Sequence, residues 1–279
     1  MAATGLAHLG GVEIEQTPLR KLEARNILGI RISAATMQQA VSCVDHAVQH
    51  RERLQIGVVN AAKIVNMRRD ETLRDDVLSS DVIFADGMSV VWASRLLGEP
   101  LPERVPGIDL MISTLALANA RGYRVYFLGA TDAVLRGVVE RVRRELPGVV
   151  VAGFRNGFFP YDHHGRVAHE IAASHADILF IAITSPKKEQ FMARWRSLMG
   201  VPVCHGVGGS FDVYAGKVQR APEKWQRLGL EWLFRLKQEP RRLARRYLVT
   251  NAVFCTMLSS EIARVQVRKL SEFVRSVKG

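Results

Sequence analysis

The stretch "VIFADGMSVVW", Val82 to Trp92, joins an uninterrupted apolar run to an Asp-Gly pair and then to a segment of helical length. A short continuous run of β-branched and aromatic residues is typical of a strand buried on both faces of a parallel sheet. Asp86 and Gly87 follow directly after that strand. The stretch therefore predicts an α/β fold with a polar residue at the carboxyl edge of its sheet.

The same alternation of strand and helix recurs along the chain. Other apolar runs lie at 55–59, 124–129, 148–153, 177–183 and 201–206, and "NILGIRIS", residues 26–33, predicts one more strand. Thr36 and Gln39 form a capping-box pattern, which predicts a helix running toward His50. Strands that alternate with helices indicate a Rossmann-like, mostly parallel sheet with helices on both faces.

Three segments follow from periodicity and composition. Residues 1–25 show no sustained pattern and are predicted to be a loosely ordered lead-in, while 26–216 form the Rossmann-like catalytic domain. Residues 217–279 are predicted to be a basic helical appendage. Within it, "WQRLGLEWLFRL" predicts a continuous helix, Pro240 interrupts, and a second helix runs from Arg241.

The basic charge is concentrated in the appendage. The chain carries a net charge of +12, and residues 217–279 hold 15 Lys/Arg against 5 Asp/Glu, which is +10 and leaves +2 for the remainder. Such asymmetry indicates nucleic acid, an anionic membrane surface or a phosphorylated ligand. No apolar run reaches the ~18 residues of a membrane span. The separated cysteines predict neither a disulfide framework nor a zinc site, which fits a reducing cytoplasm.

Ligands of open α/β sheets bind beyond the carboxyl ends of the strands, so the residues after each strand are the candidate site. Asp86 is there either a rigidly held general base or the N-cap of the following helix. "GVGGS", residues 206–210, either brings backbone amides to a phosphate, with Asp212 near a ribose, or forms a tight turn. A dinucleotide fingerprint fits less well, because its glycines belong in the first unit of the fold.

The histidines are interpreted as structural. His163 and His164 beside Asp162 could ligate a metal, but adjacent side chains point apart, and a solvated loop is favoured. His205 ends an apolar strand and is expected to be a buried, hydrogen-bonded histidine.

Eight motifs in order resemble the WecG/TagA/CpsF glycosyltransferases, family 26 of the sequence classification, over about Leu28 to Tyr247. They are "NAAKIV" at 60, "FADGMSVVW" at 84, "ERVPGIDL" at 103, "VYFLGA" at 125, "GFFP" at 157, "SPKKEQF" at 185, "GVGGSFDVYAGKVQRAP" at 206 and "GLEWLFRLKQEPRRLARRY" at 229.

The resemblance implies an inverting, metal-independent and cofactor-free transfer of a sugar from a UDP-sugar to an undecaprenyl-diphosphate-linked saccharide. The sugar would be N-acetylmannosamine, its uronic acid or a glucose-type sugar, and the product a bacterial exopolysaccharide or cell-envelope polysaccharide. The implied location is cytoplasmic, peripheral on the inner face of the cytoplasmic membrane, without nucleic acid as a partner. The apolar face of the tail is compatible with a homo-oligomer.

The resemblance also implies residue roles. Asp86 falls on the position of the family's proposed catalytic base. Asn60 and Arg104 fall on the family's asparagine and substrate-site arginine positions, which belong to the same catalytic site. The UDP-sugar side comprises Gly87, Gly129, Phe158, Lys188, Gly208, Gly209 and Asp212, and the diphosphate-binding tail comprises Arg235, Arg242 and Arg245; no metal ligand is implied.

Three positions depart from the family pattern: Val58, Phe158 and Lys188 stand where Thr, Tyr and Gln are usual. An added cation at Lys188 would suit an acidic donor such as a uronic acid. Two other classes stay open on the residues alone: a nucleic-acid-binding module that uses the basic tail, and a nucleotide-dependent oxidoreductase on the same fold.

Overall fold

The computed structural model describes residues 22–278, except for the side chains of 242, 269, 270 and 272–278. Most of the predicted lead-in, residues 1–21, therefore lies outside the described residues. The side chain of Arg242, predicted to bind diphosphate, lies outside them as well.

The described chain begins with an antiparallel hairpin, β1 (Ala24–Ile27) and β2 (Ile30–Ser33). The single strand predicted for 26–33 is wrong. Leu28 and Gly29 have φ of 54° and 82° and form a two-residue turn, and positive φ at both positions matches the twist of a tight hairpin. The sequence pattern did not indicate this turn, because leucine rarely adopts a positive φ.

Six parallel strands form the central sheet, in the order β4-β3-β8-β7-β5-β6. This confirms the predicted α/β class with a parallel sheet. The strands are β3 (Leu54–Val59), β4 (Val82–Ala85), β5 (Arg124–Gly129), β6 (Val150–Arg155), β7 (Ile178–Ala182) and β8 (Val203–Gly206).

Helices cover both faces of the sheet. Phe127 and Phe180 pack toward α1, α5 and α6, whereas Tyr126 and Leu179 on the same strands pack toward α7 and α8. The helices are α1 (Met37–Gln49), α2 (Ala61–Met67), α3 (Glu71–Leu78), α4 (Met88–Leu96), α5 (Gly107–Arg121), α6 (Asp132–Glu145), α7 (His164–Ala173), α8 (Lys187–Met199), α9 (Ser210–Tyr214), α10 (Glu223–Arg227), α11 (Glu231–Gln238) and α12 (Pro240–Lys278).

The N-terminus of α1 carries the predicted capping box. Thr36 Oγ1 accepts a hydrogen bond from the Gln39 backbone N–H at 3.2 Å, and Gln39 Oε1 accepts one from the Thr36 N–H at 2.9 Å. The prediction is confirmed because both side chains satisfy amides that a helix N-terminus leaves unpaired.

The predicted continuous helix in "WQRLGLEWLFRL" is wrong, because the chain breaks between α10 and α11 around Gly229. A Cβ at this glycine would lie 2.7 Å from Met88 Cβ and 3.2 Å from Trp92 Cη2. Because residue 229 is a glycine, the backbone of the tail lies directly against α4 at this break. Pro240 is the first residue of α12, a position where its missing N–H costs nothing.

One face of α12 packs on α2 and on the hydrophobic cluster that contains the β1–β2 hairpin. Leu243, Thr250, Phe254 and Met257 are buried at helical spacing, as expected of a helix with one apolar stripe. The basic tail is thus built onto the body of the protein. In the part of the chain that the structure describes, no helix combines the length and hydropathy needed to cross a membrane.

Packing of α12 can be tested with Phe254→Ala. Phe254 is only 4% exposed, so its truncation should lower the free energy of unfolding, measured by urea denaturation, by about 3 kcal/mol. Val267→Ala is the matched control, because Val267 lies on the same helix at 68% exposure; its effect should stay within about 0.5 kcal/mol. Equal, small losses for both variants would show that α12 is not packed this way in solution.

Candidate active site

The strand order brings three of the predicted site segments together at the carboxyl edge of the sheet. β4, β3 and β8 are neighbours, so Asp86, Asn60 and the loop after Gly206 lie side by side, with about 4.8 Å between adjacent strands. Phe158 follows β6, the other edge strand, but the chain turns back before it: the Gly157 N–H donates to the Ala130 carbonyl at 3.0 Å, and a Cβ on Gly157 would lie 3.3 Å from Ile183 Cγ1. The candidate site is therefore a rim that runs from Asp86 toward the ends of β5 and β7.

Asp86 is held at that end by two hydrogen bonds. Its Oδ2 accepts from Asn60 Nδ2 at 3.2 Å, and its Oδ1 accepts from the backbone N–H of Gly107 at 3.0 Å. Gly107 is the first residue of α5, and an amide at a helix N-terminus favours a negative charge. The carboxylate is partly buried, fixed in orientation and still reachable.

The alternative in which Asp86 caps the following helix is excluded. The N-cap of α4 is Gly87, which has no side chain to cap with. A Cβ at Gly87 would lie 3.2 Å from Asn60 Cβ, tighter than nine in ten real contacts. Glycine at this position therefore allows the ends of β3 and β4 to approach until Asn60 reaches Asp86.

Asn60 is itself oriented by α2. As the N-cap of that helix, it accepts with Oδ1 from the Lys63 N–H at 3.0 Å. Because Oδ1 is used for the cap, the amide nitrogen turns toward Asp86 and donates to it.

His205 lies buried beneath this corner, with its ring against Phe180 at 5.9 Å between centroids. Neither ring nitrogen has a hydrogen-bond partner among the described residues, so the expectation of a hydrogen-bonded histidine was only half right. Desolvation, aided by the charge of Lys188, lowers the pKa of His205 to about 3, against the opposing effect of Asp86. His205 is therefore neutral at physiological pH.

Arg104 and Arg235 share one carboxylate. Glu231 Oε2 lies 3.4 Å from Arg104 Nη1, and Glu231 Oε1 lies 3.5 Å from Arg235 Nη2. Arg104 and Glu231 are each only 16% exposed. The structure thus brings a predicted site arginine and a predicted tail arginine together through Glu231, which the sequence reasoning missed; the i, i+4 spacing of Glu231 and Arg235 was the available signal.

The third tail arginine is not brought to this corner. Arg245 is exposed on α12, and no ion pair to a described residue holds it there. Its predicted role in binding diphosphate stays a prediction, as does that of Arg242.

The glycines predicted for the UDP-sugar side occupy their positions for different structural reasons. A Cβ at Gly208 or Gly209 would meet nothing within 4 Å, so the backbone there is open to a ligand. Gly129 has φ +125°, and a Cβ on it would lie 2.5 Å from the Ala182 carbonyl carbon. Close packing of the ends of β5 and β7 is enough to require that glycine.

Phe158 and Asp212 both face outward. The Phe158 ring is 76% exposed, and its backbone N–H donates to Asn156 Oδ1 at 3.0 Å. Asp212 pairs with Lys217 at 3.2 Å and keeps its side chain 32% exposed. An aromatic surface and a carboxylate are thus available for a base and a ribose along the rim.

Lys188 is turned inward rather than toward the rim. Its Nζ lies 2.7 Å from Glu189 Oε1, and Lys63 Nζ lies 2.7 Å from the same oxygen. Burial and the charge of Lys63 lower the pKa of Lys188 to about 8. An ammonium already paired and only 9% exposed gives no physical support to the hypothesis that Lys188 selects an acidic sugar.

The two lysines hold Glu189 ionised. Burial alone would raise the pKa of this carboxyl, but the charges of Lys63 and Lys188 together outweigh burial and lower it to about 2. Since Lys63 belongs to α2 and Glu189 to α8, the cluster ties together two helices that flank the site.

The prediction of a solvated loop is wrong for His164. His164 begins α7, and its ring packs on Phe159 and Phe191 at 5.3 and 5.5 Å. Within residues 22–278, no group of three or more His, Cys, Asp or Glu side chains is placed to hold a metal ion.

Glu189→Gln tests the buried cluster. Removing one partner of a buried ion pair should cost about 3 kcal/mol of unfolding free energy at pH 7. The folded pKa is depressed from its ordinary 4.5 to about 2, so this stabilisation is complete above pH 4.5 and is lost as the pH falls toward 2. Urea unfolding at pH 7 and pH 4 should therefore show a smaller difference between wild type and variant at the lower pH. The exposed Glu140→Gln is the control; a difference that does not change with pH would contradict the assignment.

Comparison with known proteins supports the resemblance. The family model described as "Glycosyl transferase WecG/TagA/CpsF family" matches residues 25–268. A Bacillus spizizenii protein named N-acetylglucosaminyldiphosphoundecaprenol N-acetyl-beta-D-mannosaminyltransferase is 42% identical over 167 residues, 60% of this chain and 64% of the relative. A protein of the same name from Bacillus subtilis strain 168 is 35% identical over 200 residues, 72% of this chain and 77% of the relative.

The match thus spans slightly less than two thirds of the length of the first relative. The family model, however, covers most of the chain, including the rim, Asp86, Arg104 and most of the tail. The chain belongs to the WecG/TagA/CpsF family of glycosyl transferases.

Proposed function

We propose that this protein transfers a sugar from a UDP-sugar to an undecaprenyl-diphosphate-linked saccharide. The observation that carries the proposal is the Asp86 carboxylate, oriented by Asn60 and by the N–H of Gly107 at the open edge of the sheet. The names of both relatives describe transfer of an N-acetylmannosaminyl group to N-acetylglucosaminyldiphosphoundecaprenol. Family membership also disfavours the nucleic-acid-binding and oxidoreductase alternatives.

The proposed chemistry is a single inverting displacement. The acceptor hydroxyl oxygen bonds to the anomeric carbon while the bond from that carbon to the UDP oxygen breaks, and Asp86 takes the hydroxyl proton. Positioned general-base catalysis contributes about 10²–10⁴-fold to the rate. Asn60 and Gly107 keep the carboxylate directed toward the hydroxyl, so no reorganisation is needed at the moment of reaction.

Charge that develops on the leaving diphosphate must be met by cations, and we propose that arginines do this without a metal. Arg104 and Arg235 each pair with one carboxylate oxygen of Glu231, and a guanidinium binds phosphate oxygens in a bidentate manner. Glu231 would then be the carboxylate that a diphosphate replaces. The open backbone at Gly208 and Gly209 accommodates the other phosphate contacts.

The remaining rim residues suit the nucleoside. Phe158 would stack on the uracil, and Asp212 would accept hydrogen bonds from the ribose. For the sugar, the names of the relatives favour N-acetylmannosamine, and the inward pairing of Lys188 removes the reason to prefer its uronic acid.

We further propose that the protein acts peripherally at the inner face of the cytoplasmic membrane. The tail has a net charge of +10, and each cation near an anionic surface contributes roughly 1 kcal/mol of attraction. The exposed guanidiniums on α12, including Arg245, are the cations available for this contact.

Asp86→Asn is the direct test of the base. The amide keeps the shape of the carboxylate but cannot take a proton, so kcat should fall by about 10²–10⁴-fold while the Kd of UDP changes less than about twofold. Calorimetric titration of UDP and an assay of UDP release, both in EDTA, measure the two quantities. Asp75→Asn, at an exposed position on α3, is the control. Unchanged kcat in Asp86→Asn would remove the base assignment.

Arg104→Lys separates charge from geometry. It keeps the cation and loses the planar fork, so kcat/KM should fall about 10-fold or more. The exposed Arg136→Lys on α6 should be silent in the same assay. If lysine at 104 supports full activity, Arg104 is not a bidentate ligand of the diphosphate.

A further inference from the structure

The outer face of α4 exposes large apolar side chains beside an arginine. Trp92 and Leu96 are 45% and 63% exposed, and Arg95 shares their side of the helix because positions i, i+3 and i+4 are neighbours. Leu228, also 63% exposed, directly precedes Gly229, which lies against Trp92. We call these four residues, Trp92, Arg95, Leu96 and Leu228, the α4 strip.

The α4 strip borders an open cleft of about 460 Å³ that reaches the catalytic corner. Met88, two residues after Asp86, lines the cleft, and so does Pro106, which precedes the Gly107 that binds Asp86. Arg95 lines the same cleft. A molecule in the cleft could therefore touch the α4 strip at one end and approach Asp86 at the other.

Most charged groups of the cleft already have partners. Glu103 accepts a hydrogen bond from the Met37 N–H at the start of α1, and Asp109 pairs with Arg220 at 2.5 Å. Arg104 is paired with Glu231. The Arg95 guanidinium, by contrast, has no hydrogen-bond or ion-pair partner in the described part of the chain, so it is available to an anion.

A ligand that satisfies this surface must carry an anion joined directly to an apolar chain, with a polar end that reaches Asp86. We infer that the α4 strip binds the lipid end of the acceptor: Arg95 pairs with the phosphate attached to the polyprenyl chain, while Trp92, Leu96 and Leu228 contact its first isoprene units. The inference rests on the proposed function, and it gives the acceptor a direction. The saccharide lies at Asp86, the acceptor diphosphate lies at Arg95, and the chain leaves over α4.

A second copy of the chain is a weaker occupant. Four partly exposed side chains offer roughly a few hundred Å², whereas each partner of a stable complex typically buries about 800 Å². A polyprenyl chain needs no such area, because burial of a few methyl and methylene groups already contributes measurably to binding.

The test compares two acceptors with the same saccharide diphosphate, one carrying the undecaprenyl chain and one a short water-soluble chain. In the Trp92→Ser/Leu96→Ser variant, KM for the long-chain acceptor should rise about tenfold and KM for the short-chain acceptor less than twofold. Arg95→Gln should raise KM for both acceptors, because both carry the phosphate. The controls are Phe154→Ser, a 44% exposed aromatic on the opposite edge strand β6, and Arg136→Gln.

A binding measurement separates this inference from the proposed function. Undecaprenyl diphosphate in detergent micelles should shift tryptophan emission to shorter wavelength in the wild type but much less in Trp92→Phe, with empty micelles as the reference. In the Trp92→Ser/Leu96→Ser variant, equal KM changes for the two acceptors or no change for the long-chain acceptor would overturn the inference, and so would a wild-type dimer that this variant dissociates. If the wild type turns over no UDP-sugar but the emission shift is present, the proposed function fails and the lipid site stands.

Discussion

The hydrogen-bonded contact between the Asp86 carboxylate, the Asn60 amide and the Gly107 N–H is the arrangement on which the candidate site depends. It requires adjacent parallel strands, since only then do the residues after β3 and β4 meet at one edge. It also requires the cap that turns the Asn60 amide and the glycine at 87 that lets the strand ends approach. The orientation of one side chain is thereby built from three elements of the fold.

Electrostatics in this protein are arranged around shared carboxylates. Glu189 pairs with two largely buried lysines, and Glu231 pairs with two arginines. The buried cluster holds the helices that flank the site, because separating its charges in a low-dielectric interior is costly. The contacts of Glu231 with its two arginines are longer, at 3.4 and 3.5 Å, and suit a place where a diphosphate must displace a carboxylate.

The tail connects the proposed catalytic site to the surface proposed to face the membrane. Its apolar face is part of the hydrophobic cluster under the hairpin, and its break at Gly229 lies on α4. The proposed sugar transfer and the proposed lipid path thus meet on α4, whose N-terminus follows Asp86 and whose outer face carries Trp92 and Leu96. A chain anchored there would hold its saccharide at fixed distance from the base.

The sequence by itself determined the α/β class, the six sheet strands to within a few residues, and the strand-end positions of Asp86 and Asn60, because hydrophobic periodicity and capping are local signals. It mispredicted the β1–β2 turn and the helix break at Gly229, where packing and left-handed backbone override local propensity. Only the tertiary structure decided that Lys188 points inward, that Glu231 joins Arg104 to Arg235, and that Arg95 has no hydrogen-bond or ion-pair partner among the described residues. Those facts depend on contacts between residues distant in sequence, which no local pattern encodes.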